Sequence, residues 1–213
     1  LSICAGKKWL TFATRKRPCG YLGFEGEEKK VYDRLAKLHN AFPNGAFSDL
    51  EFNLWSPTKL IPNEAAFKIA YGNKGLALVA LDPLKFLVSG EYTKPSDAVN
   101  FIYAVERLAR DLRCPILLPH HIRKRNKAVR IDPGDLDEIK GAGDYCDQAT
   151  TVMLLEREEQ PHDRGGRFIP PRPDFFTLHF AKVRNAPAAL DPLTLHLNRQ
   201  NLTFEVVEEP RVL

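Results

Sequence analysis

Asp82 closes the apolar run Leu78-Val79-Ala80-Leu81 and is followed by Pro83. A carboxylate at the end of a buried strand has little freedom, and magnesium favours such a rigid oxygen, often reached through water. Glu25 stands at the end of a second strand-like segment, GYLGFEG (20–26). There it could polarise a water for attack on a γ-phosphate, since phosphoryl transfer asks of a protein chiefly a positioned water and charge stabilisation. His120 and His121 end a third apolar run, CPILLPHH, where one imidazole could sense a γ-phosphate. Gly6, Lys7 and Lys8 follow the apolar opening LSICA and would offer phosphate a glycine and two cations.

Each residue also has a plainer reading. An aspartate often ends a strand, and glutamates at a helix N-terminus are favoured by the macrodipole. Glu27 and Glu28 fit that second reading better than Glu25 does. A histidine after a buried strand is commonly a hydrogen-bonded structural residue. A zinc site would need further ligands at suitable spacing, and the sequence has none. What favours chemistry is coincidence of place: ligands of open α/β sheets bind at the carboxyl ends of the strands, and four strand ends here carry polar groups.

The elements that would position them alternate over the first two thirds of the chain. LSICA (1–5), GYLGFEG (20–26), FNLW (52–55), LALVALDP (76–83), CPILLPHH (114–121) and TTVMLLERE (150–158) are expected to be strands. LALVALDP lacks polar alternation, as expected of a strand buried on both faces of a parallel sheet. Val31, Leu35, Leu38 and Phe42 recur at helical spacing over 27–42, and residues 63–72 form a shorter helix ended by Gly72 and Gly75. Residues 97–113 are the clearest helix, with Asp97 near its start and Phe101, Val105, Leu108 and Leu112 on one face. FFTLHFAKVR (175–184), TLHLNR (194–199) and LTFEVV (202–207) alternate as antiparallel strands. The expected architecture is one α/β domain over 1–213, with a mostly parallel core over 1–160 and an antiparallel extension over 174–208.

Composition narrows the class. Hydrophobic residues make up 44% and charged residues 27%, as in ordinary globular domains. No apolar run approaches the roughly 20 residues needed to cross a bilayer, and LSICAG is too short for a signal peptide; the expected location is the cytoplasm, with no membrane partner. Cys4, Cys19, Cys114 and Cys146 are scattered without a CxxC pair, which favours buried thiols in a reducing compartment over disulfides, and Cys4 and Cys114 fall in expected strands. The net charge is +4. Its distribution matters more: Arg123, Lys124, Arg125, Lys127 and Arg130 cluster in one loop, and Arg15, Lys16 and Arg17 in another.

In order and spacing, LVALDPLKFL, ILLPHHIRK, GAGDYCDQATTVMLLER and HFAKVRNAP resemble the RecA-fold ATPases close to hexameric replicative helicases. The plasmid RepA-type helicases and their mobile-element cousins are the nearest relatives, with DnaB and KaiC more distant. The resemblance covers roughly residues 1–208 and is most specific over 76–185. It implies a RecA-like mostly parallel sheet flanked by helices, ATP and Mg2+ as ligands, and ATP hydrolysis at the subunit interfaces of a homo-oligomeric ring, a hexamer. Asp82 then matches the Walker B aspartate, Glu25 the catalytic glutamate, and His121, rather than His120, the γ-phosphate sensor. Lys182 and Arg184 match the K-x-R pair that reaches a neighbouring subunit's nucleotide. The loop 122–141, with Arg123, Lys124, Arg125, Lys127 and Arg130, matches the segment facing the central channel, where cations track single-stranded DNA. Lys140 stands before Gly141 where relatives carry Arg-Gly.

The opening departs from this family. A phosphate loop needs G-x-x-x-x-G-K-[ST], whose backbone N–H groups and lysine cradle the phosphates. Ala5-Gly6-Lys7-Lys8-Trp9-Leu10 has one glycine and no Ser or Thr after the lysine. Either the natural protein carries more residues at the Gly6–Lys7 and Phe12–Ala13 junctions, or the loop is degenerate and a non-catalytic RecA-like module remains. A KaiC-like signalling ATPase shares the fold without the basic loop. Peptide mapping of the natural protein across Gly6–Ala13 separates the first two readings: additional residues are expected, and a contiguous peptide excludes them.

Overall fold

The computed structural model describes residues 1–42, 45–121, 136, 143–157, 173–186 and 189–207. The chain forms two compact units, one running through Gln148 and the other from Ala149. The first holds a four-stranded parallel sheet of order β2-β1-β3-β4, from β1 (Cys19–Gly23), β2 (Leu50–Leu54), β3 (Val79–Asp82) and β4 (Ile116–Leu117). The helices of this unit are α1 (Ser2–Ala5), α2 (Glu28–Ala41), α3 (Glu64–Tyr71), α4 (Pro95–Leu112) and α5 (Asp144–Gln148). The second unit is an antiparallel sheet of order β5-β6-β7-β8, from β5 (Thr151–Arg157), β6 (Phe175–Val183), β7 (Leu193–Asn198) and β8 (Thr203–Val206). This is a RecA-like α/β arrangement with antiparallel C-terminal strands, the expected fold class.

α4 begins with Pro95, whose missing N–H costs nothing in a first helical turn. It buries Ala98, Phe101, Ile102, Ala104, Leu108 and Leu112, spaced three and four apart. Leu22 and Leu81 of the two central strands are fully buried, as are Val79, Phe67 and Phe101. The Phe67 ring is tilted against Phe24 at 6.4 Å and edge-on to Trp55 at 5.2 Å. Tyr71, also buried, donates its hydroxyl to the Tyr21 carbonyl at 3.2 Å and accepts from Asn53 Nδ2 at 3.2 Å.

Four expected strands come out differently. Residues 1–5 form the one-turn helix α1, closed by Gly6 in the left-handed conformation at φ 65°. This segment meets its apolar needs by packing: Cys4 lies against Cys19 and Ala46, with Leu1, Ile3 and Ala5 around them. β3 is shorter than LALVALDP, because Leu76–Leu78 only lead into it. β4 has two residues because Pro115 and Pro119 flank it and neither has an N–H to donate to a ladder. Cys4 and Cys114 therefore lie outside strands, although all four thiols are free and buried. β5, expected within the parallel core, instead pairs antiparallel with β6. No helix of the described residues is long and apolar enough to cross a membrane.

Replacing Phe67 by Ala is expected to cost about 3–5 kcal/mol in urea unfolding, the range for deleting a buried phenyl ring. Burial sets a second expectation. It pushes the Cys19 thiol up to about 12 and the Tyr71 and Tyr145 hydroxyls up to about 12. Each group holds its proton to higher pH in the folded chain than in the unfolded one. The folded chain thus binds more protons between about 9 and about 12, and stability must fall with rising pH across that window. Thermal melts should show the melting temperature constant below this window, as far as these groups set it, and dropping within it.

Candidate functional site

Parallel pairing of β1 with β3 puts Gly23 opposite Asp82, and the Phe24 N–H donates to the Asp82 carbonyl at 2.9 Å. Glu25 follows directly, so the two carboxylates stand at the carboxyl ends of adjacent strands. A short 3-10 turn, Leu84–Phe86, then brings Lys85 Nζ within 3.2 Å of Glu25 Oε1 and over the Phe86 ring at 4.6 Å. Glu25 is half exposed, so this ion pair orients more than it stabilises. The exit of β4 is tied to the same turn, with the Leu84 N–H donating to the Pro119 carbonyl at 3.0 Å. His120 is turned edge-on to Tyr92 at 6.2 Å and to Tyr145 at 6.4 Å, whereas His121 is exposed. Glu25, Asp82 and the two histidines therefore lie at one edge of the sheet.

Asp82 is held by a residue that the sequence reading passes over. The Tyr21 hydroxyl donates to Asp82 Oδ2 at 2.7 Å. Burial, and then the Asp82 carboxylate, push the Tyr21 hydroxyl well above the usual tyrosine range, while the Arg34 charge on α2 acts the other way. The hydroxyl thus stays protonated and able to donate. Lys85 is the other residue passed over. The available signals were faint: a hydroxyl-bearing aromatic two residues before a strand glycine, and a lysine three residues after Asp82.

Gly6, Lys7 and Lys8 do not join this edge. Lys7 Nζ donates to the Ala41 carbonyl at 3.1 Å and lies 5.5 Å from the Phe42 ring, at the C-terminal end of α2. Cys4 Sγ points to the Asp49 carbonyl at 3.4 Å, just before β2. Both contacts are at the amino ends of the strands. At about 3.3 Å per residue, that is roughly 13 Å across the sheet from the carboxyl ends. Lys8 is exposed. The expectation that a first strand delivers these residues beside Asp82 fails because that strand is a helix packed against the opposite edge.

Lys182 and Arg184 belong to the second unit. Lys182 pairs with Val152 and is half-buried, and the exposed Arg184 donates its backbone N–H to the Thr150 carbonyl at 3.0 Å. Arg123, Lys124, Arg125, Lys127, Arg130, Lys140 and Gly141 lie outside the described residues.

Among the described residues no group of three or more His, Cys, Asp or Glu side chains could hold a metal on its own. A magnesium ion does not need one, since it is commonly bound by one or two carboxylates together with substrate phosphates and water. Asp82, whose side chain accepts only from Tyr21 among the described residues, fits that donor set.

Residues 1–127 match the AAA domain family. The chain belongs to the AAA domain family. No curated protein matches it in sequence. Among solved structures it is similar to the crystal structure of the RadB recombinase, with a TM-score of 0.57 and 13% identity over 90% of this chain and 80% of that one. At that identity the likeness speaks to the RecA-like fold. Family and fold together make this AAA domain an ATPase-type nucleotide-binding scaffold, with Glu25 and Asp82 at the sheet edge where such folds bind ligands.

Proposed function

We propose that this AAA domain is the ATP-hydrolysing part of a DNA-handling motor of the RepA/DnaB helicase type, working at the subunit interfaces of a ring in the cytoplasm. The observation that carries the reading is the register of β1 on β3, which brings Asp82 and Glu25 to the carboxyl ends of adjacent strands. Asp82 would face magnesium, which when bound would neutralise charge on the phosphates. Glu25 would hold the attacking water and draw off its proton. His121, exposed at the same edge, would contact the γ-phosphate. Lys182 and Arg184 would reach a neighbouring subunit's nucleotide, which ties hydrolysis to assembly. Arg123, Lys124, Arg125, Lys127 and Arg130 would follow the backbone of single-stranded DNA. Gly6, Lys7 and Lys8 would belong to the phosphate loop, completed by additional residues between Gly6 and Ala13 that carry it to the carboxyl edge.

One observation favours a second reading. Lys7 is engaged at the amino edge, which suits a non-catalytic RecA-like module that keeps the scaffold and has lost the nucleotide. Titration with a fluorescent ATP analogue divides the two, since the module would not bind it. If the chain is the motor, single-stranded DNA stimulates its ATP hydrolysis, Asp82→Ala abolishes it, and Glu25→Gln lowers kcat by about a hundredfold or more while nucleotide binding persists. Hydrolysis unchanged by Asp82→Ala would remove the assignment. Binding of single-stranded DNA should weaken steeply with salt, which also argues against a signalling ATPase of the KaiC type.

A further inference from the structure

Paired residues of neighbouring parallel strands point to the same face. On one face of the sheet Tyr21 is in register with Phe52 and Ala80, and in the next row Gly23 is in register with Leu54 and Asp82. The Tyr21 ring is stacked on Phe52, with centroids 5.4 Å apart and planes 3° from parallel. From there its hydroxyl reaches into the next row and donates to Asp82 Oδ2 at 2.7 Å. Gly23 makes the reach possible. A Cβ at that position would stand 3.2 Å from Tyr21 Cε1 and 3.0 Å from Leu54 Cδ2, in the space the ring uses.

We infer that Tyr21 is a positioning residue for the magnesium-side carboxylate: stacked on Phe52 and leaning across Gly23, it fixes the Asp82 carboxylate by binding one oxygen and leaves the other for the metal or its water. The inference rests on the reading of Asp82 given above. The phenol hydrogen bond is charge-assisted, and it costs no reorganisation when the ligand arrives, because packing already fixes the ring.

The test is a titration of Mn2+ into the protein with a non-hydrolysable ATP analogue, followed by electron paramagnetic resonance, with Tyr21→Phe, Asp82→Asn and the double variant compared. Tyr21→Phe keeps the ring and its stack. It is expected to raise the half-saturating Mn2+ concentration about tenfold, roughly the loss of one hydrogen bond to a charged group. In the Asp82→Asn background the same change should have no further effect, which a merely structural role would not produce. Thermal melting confirms that each variant is folded. If Asp82→Asn weakens Mn2+ binding and Tyr21→Phe leaves it within twofold, the role of Tyr21 is overturned and that of Asp82 stands. If the unaltered protein binds no Mn2+, or Asp82→Asn changes nothing, the reading of Asp82 falls and this inference falls with it.

Discussion

The parallel pairing of β1 with β3 is the constraint on which the site depends. It is a backbone fact, set by hydrogen bonds such as Gly20 N–H to the Leu78 carbonyl at 2.8 Å and Phe24 N–H to the Asp82 carbonyl at 2.9 Å. A slip by one residue would turn every side chain of the slipped strand to the other face. Leu22 and Leu81, both fully buried on one face, would then be split between the two faces, and a polar neighbour, Tyr21 or Asp82, would enter the core. Burial of the two leucines thus selects the register, and the register brings the polar residues together. Core and site are two faces of one pairing.

That coupling explains which parts of the fold were legible. α2, α3 and α4 carry apolar residues at helical spacing, and a helix can be recognised from its own residues. The C-terminal strands alternate, and alternation is likewise local. Asp82 and Glu25 were legible because each closes an apolar run. Tyr21 was not, since its partner lies 61 residues away and nothing in GYLGF says which row its hydroxyl will enter. Lys85 was hidden for a similar reason: its ion pair with Glu25 spans 60 residues.

The misread segments share another cause. LSICA and CPILLPHH have the composition of buried strands, but composition does not supply a ladder. Between Pro115 and Pro119 only Ile116 and Leu117 enter β4, since proline offers no N–H. At the opening, helical turn and extended chain bury the same apolar side chains, and Gly6 tips the balance by accepting the left-handed conformation that ends a helix. β5 shows the converse: its composition suited either sheet, and partnership with β6 decided.

The edges of the parallel sheet are chemically unlike, and this bears on where phosphates can be held. The carboxyl edge gathers Glu25, Asp82 and Lys85, with the Lys85 ammonium already engaged by Glu25. The amino edge receives Lys7, engaged by the Ala41 carbonyl at the end of α2. A carbonyl at a helix C-terminus attracts a cation because the helix dipole is negative there, so Lys7 has an electrostatic reason to stay where it is. Two carboxylates by themselves repel an incoming triphosphate, and N–H donors or cations reverse the sign of that field. Among the described residues the cation at the Asp82 edge is Lys85, held by Glu25, so the motor reading calls for further N–H donors or cations at that edge.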